Sequence, residues 1–172
     1  GRVFQLKAYE IPAAQRTAKG QAIVNFLQLP SDEKVTSVLP LDKISKSAFL
    51  FFATERGVVK KVPLEEFSKV RRSGLIAIKM RPEDKLIWAK PTGGKDEIQL
   101  ITAKGQAIRF KESDVRPMGR NASGVWGIRL KKGDSVVGMG VISDDKEKLK
   151  KLQVLSVMAN GYGKRTPLNL YK

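Results

Sequence analysis

The chain contains no cysteine and no histidine. Without cysteine there is no disulfide framework and no thiolate nucleophile, a pattern that fits a reducing compartment. Without histidine the commonest general base and the commonest zinc ligand are missing together. No apolar run approaches the roughly eighteen residues of a membrane-spanning helix, and no signal-peptide pattern is visible, so a cytoplasmic protein with no membrane partner is expected. Acidic residues are scarce: 17 Asp and Glu stand against 33 Lys and Arg in 172 residues, a formal charge of +16.

Catalytic motifs are missing too. A Walker-type loop needs Gly, four residues, then Gly-Lys-Ser/Thr. Pro91-Thr-Gly-Gly-Lys-Asp96 departs from that pattern and reads as a hairpin turn. The carboxylates of Ser143-Asp-Asp-Lys-Glu147 read as a solvated loop leading into Leu149-Lys-Lys-Leu152, not as a Mg²⁺ site. Tyr9, Tyr162 and Tyr171 have no histidine or metal cluster to activate them. The expectation is a chain that is no enzyme by itself, with no catalytic residue, metal or cofactor.

What the sequence does have is a repeat. Four segments align on leading glycines: Gly1-Arg-Val-Phe-Gln-Leu-Lys7, Gly57-Val-Val-Lys-Lys-Val62, Gly105-Gln-Ala-Ile-Arg-Phe-Lys111 and Gly161-Tyr-Gly-Lys-Arg-Thr166, in steps of 56, 48 and 56 residues. A second block, basic residue, glycine and apolar run, follows as Arg16–Val24, Arg71–Ile78 and Gly119–Ile128. The third is Glu33–Leu39, Asp84–Ala89 and Asp134–Met139, and the fourth is Ala48–Ala53, Glu97–Ile101 and Leu152–Val157. Each fourth block runs into the next leading glycine. Four strand-sized runs every fifty residues or so, rich in Val, Ile, Leu and Phe, are the arithmetic of a propeller blade. The expected fold is all-β: four-stranded blades, about three plus a partial one, starting near 1, 57, 105 and 161 within one repeat-built domain over 1–172. A single β-sandwich is the competing fold, but shared alternation alone does not register glycines and basic residues. Three units and an orphan strand do not close a ring, which predicts that the chain is part of something longer.

Charge follows the repeat. The basic residues recur as Lys7, Arg16 and Lys19, then Lys60, Lys61, Arg71 and Arg72, then Arg109, Lys111, Arg116 and Arg120, then Lys164 and Arg165. If equivalent residues face alike, they form a basic belt suited to a polyanion, and duplex DNA offers a charge about every 1.7 Å of axis. Gly20, Gly74 and Gly124 sit beside these charges. A residue without Cβ there takes positive φ and lets backbone N–H groups approach phosphate.

The segment Asp114-Val-Arg-Pro-Met-Gly-Arg-Asn-Ala-Ser-Gly-Val-Trp-Gly-Ile-Arg-Leu130 closely resembles a signature of the C-terminal domain family of gyrase A, the A protein of bacterial DNA gyrase, a type IIA topoisomerase. Gly1-Arg-Val-Phe-Gln-Leu-Lys-Ala-Tyr-Glu-Ile-Pro12, Lys19-Gly-Gln-Ala-Ile-Val-Asn25 and Asn160-Gly-Tyr-Gly-Lys-Arg-Thr-Pro167 carry the same likeness, which covers essentially the whole chain. It implies a β-pinwheel with strands exchanged between blades, whose basic rim wraps and bends duplex DNA without reading its sequence. It further implies a role in ATP-dependent negative supercoiling by a bacterial, nucleoid-associated A2B2 holoenzyme in which gyrase B is the partner. That holoenzyme's ATP, Mg²⁺ and breakage-reunion tyrosine belong to regions absent here. Two features depart from the family: no Gln-Arg-Arg-Gly-Gly-Lys-Gly-like gyrase box is found, and Trp126 stands where the family usually shows Arg, free to pack between blades. The alternatives are the matching domain of topoisomerase IV, against which Met118-Gly-Arg-Asn-Ala122 weighs, and a protein-binding propeller with a basic surface.

Overall fold

The computed structural model describes residues 1–30, 33–40 and 49–171. Its strands are β1 (Arg2–Val3), β2 (Phe49–Thr54), β3 (Val58–Pro63), β4 (Leu75–Ile76), β5 (Leu86–Thr92), β6 (Glu97–Thr102), β7 (Ala107–Lys111), β8 (Val125–Trp126), β9 (Val136–Ile142), β10 (Gln153–Val157) and β11 (Gly163–Pro167). One short helix, α1 (Lys146–Lys151), lies between β9 and β10.

The repeat blocks map onto one pairing rule. A fourth block and the leading block after it make an antiparallel hairpin: β2 with β3, β6 with β7, β10 with β11. The first two turns close alike. The Thr54 and Thr102 hydroxyls accept from the amides of Val58 and Gln106, each at 3.0 Å, while Gly57 and Gly105 hold φ of +87° and +80°. Left-handed backbone at that turn position is where glycine escapes the Cβ clash. The third block adds to the free edge of the fourth-block strand, β5 on β2 and β9 on β6, each pair with a register shift near its end. The second block adds to the leading strand of the preceding unit, β4 on β1 and β8 on β3. The complete sheet, β5-β2-β3-β8, is therefore built from three successive units, and the next is β7-β6-β9. Single-turn 3₁₀ segments follow each leading block from Ala8, Leu64, Glu112 and Leu168, at the same 56, 48 and 56 spacing.

Strand β2 shows why the sheets pack. Its Phe-Leu-Phe-Phe-Ala-Thr sequence is apolar on both faces, and period-two alternation sends Phe51 and Ala53 into one core and Leu50 and Phe52 into another. The first core adds Val59, Ile98, Leu100, Val115, Val136 and Met139; the second adds Val62, Phe67, Ala77 and Ala89. Truncating a buried phenylalanine such as Phe51 to Ala costs about 3–5 kcal/mol.

Three expectations change. Arg16–Val24 and Glu33–Leu39 form no strand among the described residues, and Ile23–Asn25 is a 3₁₀ turn. By the pairing rule these blocks need a preceding unit's leading strand and fourth-block strand, which this chain does not contain; a strand without a partner has no ladder. Pro91–Asp96 is not a hairpin turn either, since β5 pairs with β2 and the segment crosses to β6 in the next sheet. Thirdly, the loop after β9 winds into α1, where Glu147 pairs with Lys150 at 3.0 Å in solvent. Ala48, placed in a fourth block, lies outside the described residues.

Candidate nucleic-acid interface

Of the thirteen belt residues, Lys7, Arg16, Lys19, Arg71, Arg72, Lys111, Arg116, Lys164 and Arg165 are exposed. Arg109 and Arg120 are half-buried and ion-paired. The Arg109 guanidinium lies 2.7 Å from a Glu97 oxygen and donates to the Leu168 carbonyl at 3.1 Å, and Arg120 Nε lies 3.2 Å from a Glu66 oxygen.

Lys60 and Lys61 are not on a rim at all. Strand β3 is flanked by β2 and β8, so its side chains alternate into packed interior on both faces. Lys60 is fully buried, and its Nζ donates to the carbonyls of Ala77 at 2.7 Å, Arg120 at 2.6 Å and Ala122 at 3.0 Å. Burial lowers its pKa from the ordinary lysine value to about 8, with the Glu66 carboxylate pulling the other way. Lys61 Nζ donates to the Glu112 carbonyl at 3.0 Å, stands 3.8 Å from the Glu112 carboxylate, and lies over the Phe49 ring. Buried Glu112 also accepts from the Thr92 hydroxyl at 2.7 Å and the Gly94 amide at 2.9 Å. Both lysines tie units together.

Exposed Arg16, Arg71 and Arg72 lie in second-block segments, and exposed Arg116 lies just ahead of the third. Gly20, Gly74 and Gly124 hold φ of +67°, +77° and +85°, as the sequence predicts. Two of them are also tightly packed: a Cβ on Gly74 would lie 2.8 Å from the Phe4 ring, and one on Gly124 would lie 2.5 Å from the Val59 carbonyl. The segment bearing Arg116 is anchored at its far end, where Pro117 bridges to Lys61 and the Met118 amide donates to the Lys61 carbonyl at 2.9 Å. Between the units starting at Gly57 and Gly105 opens a cleft of about 580 Å³ lined by Glu66, Ser68, Lys69, Val70, Arg71, Leu75 and Arg120. Lys69 and Arg71 of unit two and Arg120 of unit three line it, and Arg120 is ion-paired with Glu66.

Sequence reasoning passed over Lys69 and Arg81. Lys69 was legible as part of the dense run Lys69-Val-Arg-Arg72. Arg81 of unit two stacks its guanidinium 4.5 Å above the ring of Trp126 of unit three, which is 53% exposed. Its signal was positional, for the seventh residue after Gly74 is Arg81 and the seventh after Gly124 is Lys131. Among the described residues no group of three or more His, Cys, Asp or Glu is placed to hold a metal ion, and no helix is long and apolar enough to cross a membrane.

Comparison with known proteins gives a consistent result. The DNA gyrase C-terminal domain family, described as a beta-propeller, matches residues 1–42, 48–92, 96–143 and 159–172. The gyrase A protein of Staphylococcus aureus strain NCTC 8325 / PS 47 is 45% identical over 173 aligned residues, covering 100% of this chain and 19% of the relative. A solved DNA gyrase A C-terminal domain superposes with a TM-score of 0.78 at 26% identity, over 99% of this chain and 53% of that one. The C-terminal domain of DNA topoisomerase IV superposes at 0.79 with 29% identity, over 89% and 46%. The chain thus spans about a fifth of that curated relative and about half of each of these two solved domains.

Proposed function

The chain belongs to the DNA gyrase C-terminal domain family, and from that premise we propose that it binds duplex DNA through its phosphates, without reading sequence, and bends it along a basic surface so that the parent gyrase directs negative supercoiling. The observation that carries this reading is the inter-unit cleft lined by Lys69, Arg71 and Arg120 on a chain of net charge +16. Exposed Arg72 lies in unit two's second-block segment and exposed Arg116 just ahead of unit three's. The remaining exposed belt residues, Lys7, Arg16, Lys19, Lys111, Lys164 and Arg165, continue it over one repeat-built domain. Bending 20–30 base pairs costs on the order of 1–6 kcal/mol, which several phosphate contacts offset.

On this reading the chain contributes geometry and charge but no chemistry. Strand passage and ATP hydrolysis, with Mg²⁺, belong to other parts of an A2B2 assembly with gyrase B, in the bacterial cytoplasm on the nucleoid. The topoisomerase IV domain is the second reading, favoured by a superposition as close as that of gyrase; the Met118-Gly-Arg-Asn-Ala122 run and the 45% identity to gyrase A favour gyrase. The test is to delete this region from the parent gyrase A. Negative supercoiling should vanish while ATP-dependent relaxation persists. A truncated enzyme that still introduces negative supercoils at the normal rate refutes the assignment.

A further inference from the structure

We infer that Lys60 is a positioning residue for the DNA-facing loop 119–124, acting through three main-chain carbonyls and touching no DNA itself. This rests on the phosphate-binding reading above. An ammonium has three N–H donors, and here each meets a carbonyl: Ala77 from unit two, Arg120 and Ala122 from unit three. The loop therefore approaches β3 with two of its carbonyls turned inward, and the Arg120 side chain is left pointing at the cleft beside Glu66.

The neighbouring unit shows that this is a support. Three residues after its leading glycine, where unit two has Lys60, unit one has Phe4, and the Phe4 ring lies directly against Gly74 of the equivalent loop. One second-block loop rests on an apolar ring and the other on a cation. Remove the cation, and the Arg120 and Ala122 carbonyls lose a buried donor and must turn toward water to recover one. The Ala122 carbonyl keeps one partner, the Lys79 amide at 3.2 Å, but the Arg120 carbonyl has no second donor among the described hydrogen bonds. The part of the loop that shifts is the part bearing Arg120.

The experiment compares wild type, Lys60→Met, Arg120→Ala and the double variant by duplex affinity over a salt series, with the melting temperature of each. Lys60→Met removes the cost of the buried charge but leaves three carbonyls without their donor, so its melting temperature should fall and affinity is compared per folded molecule. Its log–log salt slope should be shallower by about 0.9, one phosphate contact. Arg120→Ala should lose the same, and the double variant no more than either single. If Arg120→Ala loses nothing, Arg120 makes no phosphate contact and the site reading fails there. If Arg120→Ala loses slope while folded Lys60→Met binds as wild type, the positioning role is wrong. Should Lys60→Met not fold, Lys60→Gln, with two N–H donors and no charge, is read in the same way; failure of both to fold overturns the inference, because Lys60 would then hold the whole fold.

Discussion

The heptapeptide Thr-Ala-Lys-Gly-Gln-Ala-Ile occurs twice, at 17–23 and at 102–108, and ends in two different structures. In the second copy Thr102 closes β6, its hydroxyl accepts from the Gln106 amide, and Ala107-Ile108 open β7 against β6. The first copy is exposed throughout, lies outside every strand, and runs into a 3₁₀ turn at Ile23. One property is common to both, for Gly20 and Gly105 hold φ of +67° and +80°. Seven residues thus carry their own turn preference, but strand identity comes from what lies alongside. The second copy follows β6; among the described residues no strand lies alongside the first. Sheet propensity is a statement about fitting a partner surface.

The largest expected difference between the two regions is in pH. Lys60 is buried in the paired region and Lys19 is exposed in the unpaired one. With a folded pKa of about 8 against an ordinary 10.5, the unfolded state binds more protons between those values, so stability rises with pH across that window and the cost of the buried charge is fully present below it. The rise attributable to Lys60 is a few kcal/mol, about 1.4 for each pH unit between the two values. It should disappear in Lys60→Met and persist in Lys19→Met, as followed by denaturant melts from pH 7 to 10.5; an unchanged rise in Lys60→Met contradicts the assignment.

Hydrogen exchange reads the same contrast along the backbone. Amides of β7 that bond to β6 should exchange on the order of a hundredfold more slowly than those of 20–24, since opening them requires breaking a sheet. Equal rates would mean that the two copies are not differently paired. A smaller contrast lies in the side chains. Ile108 packs against the first core, whereas Ile23 is 45% exposed, so Ile108→Ala should cost about 2 kcal/mol and Ile23→Ala less than about 0.5. The smallest stability effect should come from the basic loops, where Arg71→Ala with Arg72→Ala costs about 0–1 kcal/mol for each exposed charge while weakening DNA binding. Arg116→Ala with Arg120→Ala should weaken binding more, because Pro117 and Met118 fix that segment on Lys61. Melting that collapses while binding per folded molecule stays constant would make these arginines structural.

The limits of sequence reading follow from the same physics. The leading glycines and the positive φ of Gly74 and Gly124 were legible because each is a local requirement of a few adjacent residues, whereas the one hairpin turn the sequence suggested, Pro91–Asp96, crosses between sheets instead. That second-block strands cross to the preceding unit was legible only through family resemblance, since Val125-Trp126 carries no mark of its distance from Val58-Val59. Lys60 and Lys61 misled for a related reason. In sequence two adjacent lysines read as a surface, and only the three carbonyls gathered from residues 77, 120 and 122, with Glu112 opposite, make their burial tolerable. The cleft lined by Lys69, Arg71 and Arg120 joins residues some fifty positions apart, so the run around residue 70 announced only half of it.

The central claim is that this surface neutralises DNA phosphates along a path, and a salt titration tests it most directly. With two unrelated duplexes of equal length, log affinity should fall linearly with log salt at a slope of about −0.9 for each phosphate contacted, with the two lines superimposed. A flat line, or a strong preference for one sequence that survives at high salt, would contradict the account.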